Sequence, residues 1–382
     1  MAIQRNDLNT LNNVQIKSEN NRAFYADVRS LMFFTKDFAI SPTFITEPGD
    51  LLELNISGLN ENHNFYKLIA SAYSQVYTPL NVVVYGNNTA ATFTELMNTY
   101  IDHEDAFEVT NWITNMDIVS EKTYINSIVS YAKTDKDKQF FIAVDYEKVG
   151  SAAEAVKLQT ENNVNNVAFV IEGAKNLAKG NWLTGALVGG TIGYKDLGSY
   201  IVHSTQITGF VQENFTKTEQ KSFWDAGLNY LSKPTQGYFH IVNGLNSDNK
   251  TFIELKLIEI WLRDGLKKDL TIFQVRKDKI PLNDIGRLMI ESIIRERCRQ
   301  GANAGMFMVD SNGSYFGTIT QKDKNGNEFS IKLGHLTVDE LTQESIREGK
   351  FKFDLRVTYL NGARNVALTG TITTDGEIVF DK

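Results

Sequence analysis

The sequence predicts an α/β core, its sheet mixed or mostly parallel with flanking helices, then a C-terminal α+β domain ending in antiparallel strands, with extended N- and C-terminal arms. Three observations predict it. Short apolar runs alternate with helical periodicity between Asn81 and Val242, the pattern of βαβ units. Two amphipathic helical stretches follow between Thr251 and Gln300. From Phe351 the chain alternates apolar and polar residues with period two, as a half-buried strand does.

Residues 1–22 are polar and Asn-rich, and the alternating island Val14-Gln15-Ile16-Lys17 predicts one strand on an extended arm. The core spans 23–245, with a β-rich start over 24–80: strands at Leu31–Phe34, Phe38–Ile45 and Leu51–Ile56, then a helix over Phe65–Val76. Strands follow at Asn81–Gly86, Ile118-Val119 (an edge), Phe140–Asp145, Val167–Ile171 and Tyr238–Val242, the last closing the region. Helices are expected over Thr92–His103, Glu121–Lys133, Ala152–Glu161 and Asn176–Gly189. The C-terminal domain spans 246–371. Ile253, Leu257, Ile260 and Trp261 share one face of a helix from Thr251 to Leu266, and Leu270–Arg276 reads as strand or helix. Pro281-Leu282-Asn283-Asp284 signals a helix start, Ile285, Leu288, Met289, Ser292 and Ile293 continue it, and Gly301 is its expected stop. Phe351, Phe353, Leu355, Val357 and Tyr359 form the inner face of the next strand; the turns Asn361-Gly362 and Asp375-Gly376 bound a second, and Glu377–Phe380 is a third. Residues 372–382 make the C-terminal arm, with Ile372, Ile378, Val379 and Phe380 as its pairing residues.

The chain has 382 residues, 39 basic against 46 acidic, for a net charge of -7, which disfavours non-specific nucleic-acid binding. Cys298 stands alone, so an internal disulfide and a cysteine zinc cage are both excluded. Met1-Ala-Ile-Gln-Arg leads into polar sequence, which argues against a cleaved secretion signal. The longest apolar stretch, Trp182–Ile192, is too short and Gly-rich for a span of roughly 20 residues, so no membrane insertion is expected.

Catalytic signatures do not emerge. The five histidines (His63, His103, His203, His240 and His335) lack metal-ligand spacing, and Asp102-His103-Glu104-Asp105 reads as a solvated helix end. The glycine-rich region around Gly180, Gly185, Gly189, Gly190 and Gly193 fits neither a dinucleotide fingerprint nor a P-loop and reads as a mobile or tightly turned surface loop. No G-x-S-x-G elbow occurs. Arg297 and Arg299 flank Cys298 and would lower its pKa, but without a placed histidine it reads as an incidental thiol. The sequence thus implies no catalytic residue, no cofactor and no metal. Arg295, Arg297 and Arg299 make the helix C-terminal half basic, either as dipole compensation or as a docking face for an acidic partner.

The stretch Thr251–Phe307 resembles the C-terminal domain of contractile-tail sheath proteins of myophages, R-type bacteriocins and related injection machines. The resemblance is carried by Thr251-Phe252-Ile253-Glu254 to Arg263, by Lys279-Ile280-Pro281-Leu282-Asn283-Asp284-Ile285-Gly286, by Leu288-Met289-Ile290-Glu291 to Ala302, and by the closing strands to Phe380. It covers about a third of the chain and rests on the order of elements. The resemblance implies a structural, non-enzymatic protomer. It would stack in six-fold rings around a tail tube and contract without consuming nucleotide. Its arms (Val14–Lys17 and Ile372–Phe380) would add strands to neighbours' sheets, and Arg295, Arg297 and Arg299 would face the tube. Implied partners are further copies of itself, the tube protein, and baseplate and terminator proteins, in a virion tail assembled in the host bacterial cytoplasm. Two other readings stand beside it: a hydrolase-like α/β enzyme with a site near Asp145 or His240 at strand ends, and another virion or baseplate structural protein.

Overall fold

The computed structural model describes residues 28–382 except 104–106, 116, 118–119, 236–237, 278–279, 323–324, 341, 349, 360–363, 374–377 and 381–382. The expected strand at Val14–Lys17, the edge at Ile118-Val119, and the turns Asn361-Gly362 and Asp375-Gly376 lie outside the described residues. The chain divides into two units, Met1–Lys195 with Val202–Lys256, and Asp196–Ile201 with Leu257–Lys382.

In the first unit the elements run β1 (Leu31–Thr35), β2 (Ile40–Ile45), α1 (Gly49–Glu53), α2 (Asn64–Tyr73), β3 (Val82–Gly86), α3 (Phe93–Ile101), β4 (Asn111–Thr114), α4 (Lys122–Thr134) and β5 (Gln139–Asp145). They continue as α5 (Tyr146–Val149), α6 (Ala152–Glu161), β6 (Val167–Glu172), α7 (Ala174–Leu177), α8 (Leu183–Leu187), a π-helical turn (Val188–Ile192), α9 (Lys217–Ala226), β7 (Tyr230–Thr235) and β8 (Tyr238–Val242). Six strands form one sheet in the order β2-β3-β1-β4-β5-β6, all parallel except the edge strand β2. A parallel sheet is covered on both faces, which is why β1, β3, β5 and β6 read as unbroken apolar runs. One face packs Phe34, Trp112 and Phe140 against Phe93 and Tyr100 of α3 and Ile125 and Ile128 of α4. Edge-to-face rings knit this layer, with Phe93–Phe140 centroids 5.5 Å apart and Tyr100–Trp112 5.2 Å.

Several expectations change here. Leu51–Ile56 is not a strand: Asp50 accepts hydrogen bonds from Thr46 N (2.7 Å) and Glu47 N (3.1 Å), turning the chain into α1. The strand between α3 and α4 is β4, whose sequence Asn-Trp-Ile-Thr is too short and polar-ended to announce itself. Tyr238–Val242 is the last strand of the first unit, as expected, and it pairs antiparallel with β7 in a separate hairpin. The glycine-rich region is a packed layer, not a surface loop. A Cβ at Gly185 would meet Leu68 O at 2.1 Å, and one at Gly189 would meet Ala72 O at 2.2 Å. Only glycine lets α8 and the π-helical turn lie this close to the α2 backbone.

The second unit takes α10 (Ile253–Lys277) from Leu257 onward, then α11 (Asp284–Asn303), β9 (Gly317–Lys322), β10 (Glu328–Val338), α12 (Gln343–Glu348), β11 (Lys350–Tyr359), β12 (Arg364–Thr373) and β13 (Ile378–Phe380). Leu270–Arg276, open between strand and helix in the sequence, is helical. Asn283 caps α11 by accepting from Gly286 N at 3.1 Å, as the entry signal predicts. Gly301 does not end the helix: it lies under the Phe307 ring, and α11 runs on to Asn303. The helix has a distinct buried face. Gly286, Ile290, Ile294, Cys298 and Gly301 are buried, whereas Ile285 (58% exposed) and Leu288 (56%) face outward. The five strands form an antiparallel sheet in the order β13-β12-β11-β10-β9, with Phe351, Phe353, Leu355 and Val357 buried as the alternation predicts.

Candidate assembly site

Strand addition needs a sheet edge, and the second unit has two. At one edge lies β9, exposed along most of its length and paired inward from Thr318↔Lys332 to Lys322↔Glu328. At the other, β12 pairs with β11 over ten positions from Lys350↔Thr373 to Tyr359↔Arg364 and carries β13 on its far side. The pairing residues named from sequence meet there: Ile372↔Ile378, Thr371↔Val379 and Gly370↔Phe380. Within the free chain, therefore, the terminal strand sits on its own sheet. Val14, Gln15, Ile16 and Lys17 lie outside the described residues.

The three arginines of α11 do not share one face. Arg297 turns inward: its guanidinium carbon lies 3.8 Å from the Trp261 ring centroid, Nη2 donates to Trp261 O at 2.9 Å, and Asp269 is 3.9 Å away. Gly265 leaves the space, since a Cβ there would fall 1.8 Å from Arg297 Nη2. Burial lowers the Arg297 pKa, with Asp269 opposing the shift. A tube-facing role for this side chain is thus at odds with its position. Arg295 is exposed but donates from Nε and Nη2 to one oxygen of Glu291 (2.9 and 2.7 Å), and Arg299 is bonded bidentately to Glu296 (2.6 and 2.8 Å). Each positive charge is balanced one turn away, so the outward face of α11 is apolar at Ile285 and Leu288 and charge-neutralised at its C-terminal half. The signal that separates the faces is the i, i+4 run of Gly286, Ile290, Ile294 and Cys298.

The reactive groups named from sequence are engaged structurally. Burial pushes the Cys298 thiol up to about 12 despite Arg295 and Arg297, contrary to the lowering that its neighbours alone would give. In the first unit, Asp145 caps α5 by accepting from Glu147 N at 3.1 Å. Burial, followed by the nearby His203, holds the His240 pKa below its usual range. A cleft of about 520 Å³ at the C-terminal ends of β5 and β6 is lined by Tyr146, Lys175, Glu213, Phe215 and Glu219, where α/β folds bind ligands. Its polar groups hold the scaffold: Tyr146 donates to Glu219 at 2.5 Å, Glu219 completes the capping box of α9 with Thr216, and Glu213 accepts from Lys175 N and Asn176 N. Among the described residues no group of His, Cys, Asp or Glu is placed to hold a metal ion, and no helix is long and apolar enough to cross a membrane.

No curated protein sequence matches the chain significantly. Among solved structures, the chain is similar to one in the cryo-EM structure of the anti-feeding prophage baseplate, six-fold symmetrised. The TM-score is 0.58 and the identity 14%, over 88% of this chain and 90% of that one. At that identity the likeness shows a shared fold. The family model described as E217 tail sheath protein gp31-like, C-terminal domain, matches residues 253–358, which span α10 to β11. That segment is thus similar to the C-terminal domain of E217 gp31-like tail sheath proteins, the likeness that the order of elements implies.

Proposed function

We propose that the chain is a structural protomer of a contractile tail sheath. It polymerises as stacked six-membered rings around a tail tube, and the sheath shortens to drive the tube through a cell envelope. The observation that carries this reading is the second unit, where the family match coincides with a five-stranded sheet whose edges suit strand addition. Val14–Lys17 and Ile372 with Ile378–Phe380 act as the linking segments. Its partners are further copies of itself, the tube, and baseplate and terminator proteins of a phage-like particle assembled in the host bacterial cytoplasm. The work of contraction comes from the lattice, without nucleotide.

Tube contact, in this reading, uses the outward face of α11: Ile285 and Leu288 as apolar anchors, with Arg295 and Arg299 at the rim. The test is co-assembly of purified sheath and tube proteins. Ile285→Asp with Leu288→Asp is expected to abolish co-sedimentation with the tube while leaving self-assembly intact. Arg295→Glu with Arg299→Glu is expected to weaken it mainly at low salt. Unchanged tube binding in both variants would move the contact off α11.

The fold likeness to a baseplate chain supports a second reading, a component that forms a single ring and does not extend. Electron microscopy separates the two: rings alone favour it, and long striated tubes exclude it.

A further inference from the structure

We propose that the segment 202–207 is an acid-sensitive latch on the free edge of β8, closed while His203 and His240 are neutral and released when both take up protons. The proposal stands on the first unit alone and goes beyond the sheath reading, so either can fail without the other. β8 pairs with β7 on one side, and on the other it receives this segment as a strap. Ser204 N donates to Ile241 O at 2.8 Å, Ile241 N to Thr205 O at 3.0 Å and Ile207 N to Phe239 O at 3.0 Å. The fourth tie uses a side chain: Asn243 N donates to His203 Nδ1 at 3.2 Å. The strap is continuous with Asp196–Ile201, which belongs to the second unit, so the latch fastens one of the covalent connections between the two.

An imidazole nitrogen accepts a hydrogen bond only through a bare lone pair, so the closed latch requires a neutral His203 with its proton on Nε2. Protonation puts an N–H on both nitrogens and turns Nδ1 into a donor facing the Asn243 N–H. Asn243 cannot turn away. It is buried, its φ is 75°, and its side chain donates to Phe223 O (3.2 Å) and Leu228 O (2.7 Å). Its amide therefore loses an acceptor at a buried position, which costs stability. His240 adds to the effect: its ring centroid lies 6.4 Å from that of His203, so two imidazoliums repel between strap and strand. Other charges on the packed elements do not offset this. Beyond the two histidines the strap and β8 carry none, and β7 carries Lys233, which lies over the Phe239 ring. In the turn after β8, Asp248 accepts from Lys250 N, Thr251 N and Thr251 Oγ1. α9 sets the Trp224 ring 6.0 Å from His203 and carries Lys217; its Asp225 is paired with Lys221 at 2.7 Å, and its Glu219 with Tyr146 and Thr216. A histidine whose pKa is lowered on folding, as His240 is by burial and then by His203, contributes stability that is complete above its ordinary 6.5. That stability is lost as pH falls through the lowered value. The latch is closed at neutral pH and opens in mild acid.

Amide hydrogen exchange of the full-length chain, corrected for the intrinsic effect of pH on exchange, reads the latch directly. From about pH 7.5 to about pH 5.5, the Ser204, Ile207 and Ile241 amides are expected to lose about tenfold protection for each histidine that ionises. Amides of β5 are expected to keep theirs. His203→Asn supplies a non-titrating acceptor oxygen in place of Nδ1, and His240→Gln removes the second titrating ring. The double variant is expected to hold the strap equally at both pH values, and His240→Gln alone to reduce the acid loss to that of one histidine. His203→Ala, which has no acceptor, is expected to leave the strap less protected already at neutral pH. A wild-type strap as well protected in acid as at neutral pH would overturn the proposal. So would a double variant, or the His240→Gln variant should the double not fold, that opens in acid as far as the wild type does.

Discussion

Arg297 and Gly265 are coupled by space. The guanidinium fills the volume that a Gly265 side chain would take and stacks on Trp261. Arg297→Ala is expected to destabilise the second unit by about 2–3 kcal/mol, since it removes the cation beside half-buried Asp269, a donor to the Trp261 carbonyl and the stacking on the Trp261 ring. Gly265→Ala is expected to cost about 1–2 kcal/mol by crowding the guanidinium. In the Arg297→Ala background the same change should stabilise by up to about 1 kcal/mol, because alanine is the better helix former once the slot is empty. Urea denaturation of the four proteins measures this cycle, and a Gly265→Ala effect of equal sign in both backgrounds would refute the coupling. Glu172 is a second residue with a measurable signature. It accepts from Leu183 N (2.6 Å), Thr184 N (2.8 Å) and Thr184 Oγ1 (2.6 Å), capping α8, yet burial outweighs these donors and raises its pKa to about 7. A carboxyl whose pKa is raised on folding contributes stability that is complete below the unfolded value of 4.5 and lost as pH rises through about 7. The first unit is therefore expected to melt progressively lower between pH 5 and pH 8, with Glu172→Gln flattening that slope, as read by thermal melts across the range.

At the scale of elements, what was legible followed the strength of the local pattern. Helices α3, α4 and α6 and strands β1, β3, β5 and β6 were readable because apolar periodicity and burial coincide. β9 and the first half of β10 were not, since residues such as Thr318, Gln321, Glu328 and Ser330 are exposed and give no apolar alternation. The capping box of Thr216 and Glu219 was a readable signal for α9 that the search for apolar runs passed over. Of the candidate site, that Ile372 and Ile378–Phe380 lie in strands was legible from the local strand pattern. The inward turn of Arg297 was not, because it depends on Gly265 and Trp261 more than thirty residues upstream. The glycines of 185–193 are the clearest case of tertiary cause: they read as loop in isolation and serve as a close-packed layer in the fold. Gly189→Ala is accordingly expected to destabilise the first unit by about 1–3 kcal/mol, as its Cβ would press on the Ala72 carbonyl; chemical denaturation checks it. An unchanged midpoint would mean that α2 can move away at little cost.

Over the whole molecule, the first unit supplies a large buried core and the second a sheet with open edges, a division suited to a protomer that stays folded while its links change. The short reach of β13 means that losing it removes three paired positions from one edge and leaves the β10–β11–β12 ladder intact. Monomer stability and polymerisation should therefore separate cleanly on truncation. The most direct measurement is electron microscopy and sedimentation of the purified full-length chain beside one lacking Glu377–Lys382, with thermal melts of both. The account predicts striated tubes from the full-length chain, and a truncated protein that melts nearly as high but stays unassembled. Tubes from the truncated protein, or a full-length chain that remains monomeric throughout, would contradict it.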